Sequence, residues 1–417
     1  MPRVTFIHTA DIHLDTPFKG LSEIDADLAD RLRQSTFQAF RRVVDLCLRE
    51  PADFLLIAGD TFDGETRSLS AQLGFAEELG RLAEAGIPVY LTFGNHDPAD
   101  DWLREIPLPG NVHCFSPARP ETVTFSKDGR PLADIHGLSF DGGKSADNPV
   151  LLFRKTEDPA PFSIGLLHAT VGPAGPHAPY SPFAVDDVMD KGFDYWALGH
   201  VHKQRIVRQA DPAIVYPGNP QGRDFGEPGL KGCCRVVLET GRQPVISVIP
   251  TCAIRFETVS VDLSDIEALT EVPDKIEEAI GDSNPATEAD CLTRVVLRGR
   301  TPLHQHLSKE EDLSDLARRM NELRAGTRFY HIDRIESETL PDIDLAAVAR
   351  GNDFPAEVFR TIRGYDDNPA ESSRLIQSLA GEFATPGIRK EISLPDEEAC
   401  RRIMALAQRQ LIDLFFP

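Results

Sequence analysis

The sequence predicts an α/β protein that begins with a parallel sheet flanked by helices, and two observations carry this prediction. Over residues 1–100, short apolar runs with the length of a buried strand alternate with segments of helical periodicity. The run Phe54–Ala58 is apolar throughout, which is typical of a parallel strand covered on both faces. The pattern changes near Pro250–Arg255, so further units are expected in a chain of 417 residues.

Within the first hundred residues the elements follow the order βαβαβ. This order favours a parallel sheet with functional side chains at the carboxyl ends of its strands. The helix over Gln34–Arg49 carries Phe37, Phe40 and Val44 on one face. The other elements are the strands Val4–His8, Phe54–Ala58 and Pro88–Phe93 and the helix Ala71–Ala85.

The middle of the chain is rich in turns and short strands, which we expect to form a second sheet packed on the first. Asp128-Gly129 marks a hairpin between the first two strands, because Asp-Gly pairs favour tight β-turns. The predicted strands are Val123–Phe125, Ala133–His136, Phe162–Leu167, Tyr195–Leu198, Ile206–Arg208, Ala213–Tyr216 and Arg235–Leu238.

Two smaller units are predicted after residue 255. Residues 256–340 alternate strands and helices in an α+β pattern, and residues 341–417 are predicted to be helical. The last helix either packs on the body of the protein or docks a partner helix. Its apolar stripe consists of Ile403, Ala407, Leu411 and Leu414.

Charge and cysteine content exclude several classes of protein. The net charge is −22, with −10 in residues 1–250 and −12 in residues 251–417. A protein that coats nucleic acid is basic, and a protein that binds membrane surfaces needs basic patches, so neither is expected. Seven cysteines without a CxxC pair indicate a reduced, cytoplasmic chain with no zinc–thiolate site. No apolar stretch reaches the roughly 18 residues of a transmembrane helix.

Five polar motifs follow predicted strands, and all their side chains are oxygen or imidazole ligands. A single Gly-Asp pair or a lone histidine is more often a turn or a hydrogen-bonded core residue. Packing does not explain all five in this order, each after a strand. They are Asp11-Ile12-His13, Gly59-Asp60, Gly94-Asn95-His96-Asp97, His168 and Gly199-His200-Val201-His202.

The spacing within the motifs fits a pair of metal ions. Residues two apart in an extended segment point the same way, so Asp11 and His13 can grip one ion together. His200 and His202 have the same spacing and can each face a neighbouring ion. Asp60 follows an apolar strand, where a carboxylate is costly unless it is paired or metal-bound. Two ions about 3.5–4 Å apart can share a carboxylate and clamp a phosphoryl group.

As a set, the motifs resemble those of the calcineurin-like metallophosphoesterases, whose fold is a four-layer α/β/β/α sandwich with a dinuclear metal site. Three segments resemble the SbcD-type DNA-repair exonucleases, especially their YhaO-like branch: Phe6–Asp15, Gly59–Asp63 and Tyr216–Arg223. The resemblance implies a metallophosphoesterase domain over 1–255, a capping domain over 256–340 and a helical C-terminal segment over 341–417.

The resemblance also assigns roles to residues. It implies that one ion is held by Asp11, His13, Asp60 and His202, and the other by Asp60, Asn95, His168 and His200. His96 would stabilise the charge on phosphorus or protonate the leaving oxygen, with Asp97 orienting it. Arg223 is expected either to contact phosphate or to be a surface arginine. His136 and His177 lie in or beside loop-rich segments between motifs and are candidates for lining the cleft, the alternative being histidines without a role there.

The ligand set holds no thiolate and therefore favours manganese, with iron or zinc as alternatives. Asp63 occupies a position where some nucleases of the family carry histidine and purple acid phosphatases carry a ligand tyrosine, so no iron–tyrosinate centre is expected.

The function implied is that of a dinuclear-metal-dependent phosphodiesterase, a DNA exonuclease of DNA repair, working with an SbcC-type coiled-coil ATPase and able to form a homodimer. Two alternatives remain open. The acidic charge favours cyclic nucleotides or small phosphoesters as substrates. A non-catalytic subunit of an ATPase complex would not need His96.

Overall fold

The computed structural model describes residues 1–18, 26–64, 68–97, 107–140, 148–172, 181–283, 289–323, 330–383 and 395–415. Its first sheet has six strands: β1 (Arg3–Thr9), β2 (Phe54–Ala58), β3 (Val89–Thr92), β4 (Val112–Cys114), β11 (Gly232–Glu239) and β12 (Val245–Pro250). Their spatial order is β12-β11-β1-β2-β3-β4, and β1 to β4 run parallel.

The second sheet also has six strands: β5 (Glu121–Lys127), β6 (Arg130–Leu138), β7 (Phe162–His168), β8 (Tyr195–Gly199), β9 (Arg205–Arg208) and β10 (Ala213–Tyr216). Their order is β5-β6-β7-β8-β10-β9. The four strands β6, β7, β8 and β10 are parallel, and the outer two are antiparallel to their neighbours.

The two sheets are the inner layers of a four-layer sandwich. Apolar side chains of both inner faces, among them Phe6, Phe54 and Ile164, form one buried cluster between the sheets. Helices α1 (Ala26–Arg49) and α2 (Leu69–Glu84) cover the outer face of the first sheet through a second cluster. A 3₁₀ turn at Pro149–Leu152 and the short helix α3 (Asp186–Met189) cover Trp196 on the second sheet. The predicted fold class is confirmed.

The placement of one predicted strand is wrong. The segment Arg235–Leu238 belongs to β11, which joins the first sheet antiparallel to β1, with Phe6 opposite Val236. An apolar run fits any buried position, because periodicity specifies which faces are covered and not which strand lies alongside. The sequence also gave no signal for β12, an edge strand whose residues are only partly buried.

The remaining elements form a small three-stranded sheet and a series of helices. The sheet has the order β13-β14-β16, and β15 and β17 pair with each other in a separate, parallel two-stranded sheet. The strands are β13 (Ile254–Asp262), β14 (Asp290–Arg298), β15 (Arg300–Thr301), β16 (Tyr330–Ser337) and β17 (Leu340–Pro341). The helices are α4 (Val272–Ser283), α5 (His304–Leu307), α6 (Glu310–Leu323), α7 (Leu345–Ala349), α8 (Phe354–Asp366), α9 (Pro369–Phe383) and α10 (Glu397–Phe415).

Internal contacts divide the chain into two compact units. The first comprises residues 1–257 with short stretches at the starts of β14 and β16, and the second holds the rest. The second unit therefore combines most of residues 256–340 with residues 341–417, which the sequence predicts as two separate units. No helix among the described residues has the length and hydropathy required to cross a bilayer.

The predicted apolar stripe on α10 is only partly right. The helix packs on α9 and β17, and Cys400 and Ile412 are the buried ones among those of its side chains that the structure describes. Ile403 and Leu414 of the predicted stripe are 42% and 70% exposed. Both faces show helical spacing of apolar residues, and the cluster of Phe359 with Ile412 determines which of them is covered.

Replacing Leu56 by alanine tests the importance of the core between the sheets. Leu56 is fully buried in that core, so Leu56→Ala should lower the free energy of unfolding by about 2–5 kcal/mol. Leu73→Ala on α2 is the matched control, because Leu73 is 53% exposed and its loss should cost no more than about 0.5 kcal/mol. Urea unfolding followed by circular dichroism measures both, and equal losses would contradict the assigned core.

Candidate metal centre

The predicted ligands converge because they follow parallel strands of both sheets. Asp11 and His13 come after β1, and Asp60 comes directly after Gly59 at the end of β2. Asn95 follows β3, His168 ends β7, and His200 and His202 follow β8. Carboxyl ends of parallel strands meet at one edge of a sheet, so each sheet delivers its share of ligands to the same end of the sandwich.

Backbone contacts fix these loops to each other. The Asp11 N–H donates to the Gly59 carbonyl at 3.1 Å, and the His13 N–H donates to the Asp60 carbonyl at 3.1 Å. Across the two sheets, the His200 N–H donates to Asp11 Oδ1 at 2.9 Å.

Four of the predicted ligands have left-handed backbone. Their φ angles are 53° at Asp11, 47° at His13, 51° at Asp60 and 94° at His200. Only eight non-glycine residues of the described chain have positive φ, so half of them are predicted ligands. Such a conformation costs on the order of 1–3 kcal/mol per residue and persists only where the surrounding structure imposes it.

Two glycines make room for the ligands. A Cβ at Gly94 would lie 2.1 Å from Asp60 Oδ1, and a Cβ at Gly199 would lie 1.8 Å from the Ala58 carbonyl oxygen. Neither distance is sterically allowed. Glycine at these positions therefore lets the loops approach the carboxylate and the strand end closely.

One group of acceptor atoms surrounds the His168 ring. His168 Nδ1 lies 2.9 Å from the Ala58 carbonyl, which accepts only, so Nδ1 carries a proton. His168 Nε2 lies 3.0 Å from Asn95 Oδ1 and 3.3 Å from Asp60 Oδ2. His200 Nδ1 approaches the same Asn95 oxygen at 3.2 Å. When the His168 ring is neutral, the lone pair on Nε2 faces the oxygen lone pairs of Asn95 and Asp60. These acceptors repel one another unless a cation lies between them.

The electrostatics of His168 point to the same need for positive charge. Burial lowers the pKa of His168, but the carboxylates of Asp60 and Asp11 outweigh burial and raise the pKa to about 9. Without another cation, a proton on His168 therefore balances the two acids. A divalent ion would replace that proton, because metal ligation requires neutral imidazole.

A second group of acceptors lies beside the first. His13 Nε2 and His202 Nε2 are 3.2 Å apart, and His13 Nε2 is 3.8 Å from Asp60 Oδ2. Asp11, His13 and His202 have ligand atoms within 4.8 Å of one another, as do Asp11, Asp60 and His168, and as do His13, Asp63 and His96. The Asp60 Oδ2 atom faces both His13 and His168, which is the position that a bridging carboxylate requires.

The residues present fit two divalent ions. Carboxylate, amide and imidazole groups converge from both sides, and Asp11 and Asp60 are 0% and 1% exposed, so water cannot compensate their charge. None of the cysteines, all of which are described, belongs to these groups. The donor set is thus one of oxygen and nitrogen atoms.

Asp63, and not Asp97, orients His96. The His96 Nδ1 atom lies 3.0 Å from Asp63 Oδ1, and Thr16 Oγ1 donates to Asp63 Oδ2 at 2.8 Å. The hydrogen bond that His96 donates to Asp63 raises the pKa of His96. The His96 side chain is 43% exposed, so a substrate can reach it.

Asp97 has a different role from the one predicted. Its buried carboxylate accepts the backbone N–H groups of Gly94 at 2.8 Å, Thr61 at 2.7 Å and Asp60 at 3.2 Å. It therefore holds the loops after β2 and β3 together. The prediction that it orients His96 was wrong because adjacency in sequence does not place two side chains side by side.

The three predicted substrate contacts have different outcomes. Arg223 lies at the edge of the centre, with NH1 4.0 Å from Asp63 Oδ2 and a side chain that is 24% exposed. His136 does not line the cleft, because it is buried on β6 against Phe193 and bonded to Thr122 Oγ1. Its position beside loop-rich segments between the motifs had made it a candidate for the cleft. His177 lies outside the described residues.

Two acidic residues that contact histidines of the centre were not assigned a role from the sequence. The Asp63 position stood out only as a departure from relatives, and its pairing with His96 was not foreseen. Glu227 carried no signal, although its Oε1 lies 2.6 Å from His202 Nδ1. Burial raises the pKa of Glu227, but the bond to His202 and the charge of Arg223 outweigh burial and lower it overall.

Asp60→Asn should lower the metal content of the protein. The substitution preserves the volume of the side chain but removes the negative charge from the oxygen that faces both His13 and His168. We expect fewer than two ions per chain, measured by mass spectrometry of the metal after dialysis. Asp186→Asn at the start of α3 is the control and should leave the metal content unchanged. Two ions retained by Asp60→Asn would exclude Asp60 as the bridge.

The sequence is similar to those of known metallophosphoesterases. The calcineurin-like phosphoesterase family matches residues 4–204, and the middle domain of the metallophosphoesterase YhaO matches residues 256–340. The metallophosphoesterase YhaO of Bacillus subtilis (strain 168) is 38% identical over 345 residues, which cover 82% of this chain and 83% of that protein.

More distant relatives are DNA double-strand break repair proteins named Mre11. The Mre11 of Sulfurisphaera tokodaii is 26% identical over 220 residues, 52% of this chain and 53% of that protein. The Mre11 of Aeropyrum pernix is 26% identical over 278 residues, 64% of each chain. Because the likeness to YhaO extends over most of both chains, this protein belongs to the calcineurin-like metallophosphoesterases and is a metal-dependent phosphoesterase.

Proposed function

We propose that this protein is a manganese-dependent phosphodiesterase that degrades DNA from its ends during DNA repair. The observation that carries the proposal is an exposed histidine, His96, hydrogen-bonded to Asp63 beside the groups Asp11–His13–His202 and Asp11–Asp60–His168. The Mre11 relatives, named as DNA double-strand break repair proteins, support DNA as the substrate. The oxygen and nitrogen donor set supports manganese.

The chemistry is divided between the ions and the chain. When bound, two divalent ions would polarise the phosphodiester and lower the pKa of a water molecule. The Asp63 carboxylate accepts a hydrogen bond from His96 Nδ1 and raises the pKa of His96, which favours the imidazolium form with a second proton on Nε2, the nitrogen that would face the substrate. His96 would then stabilise the charge that develops on the phosphoryl oxygens and protonate the leaving oxygen.

Arg223 is proposed to bind a non-reacting phosphate oxygen. Its guanidinium lies 3.5 Å from Glu227 Oε1 and 4.0 Å from Asp63 Oδ2, and remains partly exposed at the edge of the centre. Arginine binds phosphate through paired N–H donors, and two acids beside it hold the side chain in place.

A second candidate function is hydrolysis of cyclic nucleotides or other small phosphoesters. The net charge of −22 favours it, because a strongly acidic protein repels long polyanions. A non-catalytic role is disfavoured, since a metal site that only stabilised the fold would not require the pair of His96 and Asp63.

An ATPase partner of the SbcC type remains part of the proposal. The acidic surface calls for a partner that engages DNA. Exposed apolar side chains on α10 offer a contact surface for a helix of this partner. Ile403, Leu406 and Leu414 are 42%, 59% and 70% exposed.

One assay separates the two candidate substrates. End-labelled duplex DNA and bis(p-nitrophenyl) phosphate are incubated with the protein and Mn²⁺, and in parallel with a chelator. Shortening of the labelled DNA that the chelator abolishes is the expected result. Hydrolysis of the small ester with intact DNA would instead favour the second candidate.

His96→Ala should lower kcat for the phosphodiester by about 10²–10⁴-fold, because the substitution removes the proton donor. Metal content should not change, since His96 is not among the proposed ligands. Asp63→Asn should give a smaller loss. His113→Ala is a matched control, because the His113 side chain is 41% exposed and pairs with Glu121 outside the centre. Loss of metal in His96→Ala would assign His96 a ligand role instead.

The isolated protein should bind long duplex DNA weakly. Neither half of the sequence is basic, and two divalent ions act only within a Debye length of about 8 Å at physiological salt. Fluorescence anisotropy at two salt concentrations measures this affinity. Tight binding that weakens steeply with salt would contradict the expectation.

A further inference from the structure

We propose that Glu227 is a positioning residue that fixes His202 as a metal ligand, and that the loop between β10 and β11 is folded to hold Glu227 in place. This inference rests on the dinuclear centre of the proposed function. It concerns a residue outside the five motifs, and it makes the segment after β10 part of the metal centre.

The contact between Glu227 and His202 determines which ring nitrogen is protonated. Glu227 Oε1 lies 2.6 Å from His202 Nδ1, and an ionised carboxylate can only accept. The proton of the neutral ring is therefore on Nδ1, and the lone pair is on Nε2. That lone pair lies on the side of His13 Nε2, 3.2 Å away, where an ion would bind.

The second oxygen of Glu227 prevents the carboxylate from turning away. Glu227 Oε2 accepts the Asn219 side-chain amide at 2.7 Å and the Arg223 backbone N–H at 2.9 Å. The Arg223 guanidinium also approaches His202 Nδ1 at 3.0 Å, but both groups are donors, so each of them pairs with Glu227. The carboxylate is thus held by three groups besides the histidine.

The rest of the loop is anchored on the chain around it. The Asn219 N–H donates to the His202 carbonyl at 3.2 Å, which ties the loop to the ligand's own backbone. The Gln221 side chain accepts the N–H groups of Ala253 and Ile254 at 2.9 and 3.1 Å and donates to the Ile254 carbonyl. Asn219 and Gln221 are both buried, so these bonds are shielded from water.

This arrangement makes His202 dependent on a charged side chain, whereas His168 is oriented by a backbone carbonyl. A carboxylate behind a ligating imidazole fixes the ring and increases the basicity of the opposite nitrogen. Removal of such a partner lowers metal affinity by about 10–100-fold. The effect should fall on the ion held by His202 and spare the ion held by His168.

The test uses Glu227→Gln and Glu227→Ala in the full chain, with Asp224→Asn as the control. Asp224 is an exposed acid of the same loop that bonds Gly226 and not His202. Calorimetric titration with Mn²⁺ should show two ions in the wild type, and about 10–100-fold weaker binding of one of them in Glu227→Ala. Glu227→Gln keeps an acceptor without the charge, so its loss should be smaller, and Asp224→Asn should match the wild type.

A second readout needs no metal. In the metal-free protein, ¹⁵N NMR of the histidine rings should show His202 protonated at Nδ1 in the wild type, and this preference should disappear in Glu227→Ala. Circular dichroism checks that each variant is folded.

Two ions bound with unchanged affinity in both Glu227 variants would overturn the role of Glu227 alone. Failure of the wild type to bind Mn²⁺ would overturn the dinuclear centre as well. Two-ion binding with the expected loss in Glu227→Ala, but without hydrolysis of DNA, would support Glu227 and reject the proposed substrate.

Discussion

The centre depends on two carboxylates that are buried where water cannot reach them. Asp11 and Asp60 lie at the carboxyl ends of adjacent parallel strands, and neither is more than 1% exposed. A buried charge is costly unless opposite charge or hydrogen bonds compensate it. The imidazoles around them, the His200 N–H on Asp11 and the His96 N–H on Asp60 provide part of this compensation. Divalent ions would provide the rest.

The same constraint explains why the loops at this end adopt an unfavourable backbone. Left-handed φ angles at Asp11, His13, Asp60 and His200 turn the chain sharply enough to bring four ligands together. The sandwich can impose such angles because the strands that precede these residues, β1, β2 and β8, are each paired on both sides and packed in buried apolar clusters. Asp97 contributes by binding backbone N–H groups from two loops at once. Strain in the loops is thus offset by packing and hydrogen bonds elsewhere in the same unit.

The sequence predicted the fold, and which polar side chains converge at one end of it, better than it predicted the groups behind those side chains. Apolar strands followed by polar motifs locate the ligands, because strand ends in parallel sheets coincide in space. Sequence patterns do not record which strand pairs with which, and β11 was therefore assigned to the wrong sheet. They also do not record contacts between distant loops. Asp63 and Glu227 were missed as partners for that reason, and His136 was misplaced because its burial depends on Phe193.

The two glycines beside the ligands have a consequence for judging related sequences. An alanine in place of Gly94 or Gly199 would collide with the Asp60 carboxylate or with the end of β2. A homologue with such a change could keep all seven predicted ligand residues and still have no functional centre. Counting ligands in an alignment therefore overestimates the number of active enzymes. An inactive member would be recognised more reliably by any residue other than glycine at the position of Gly94 or Gly199.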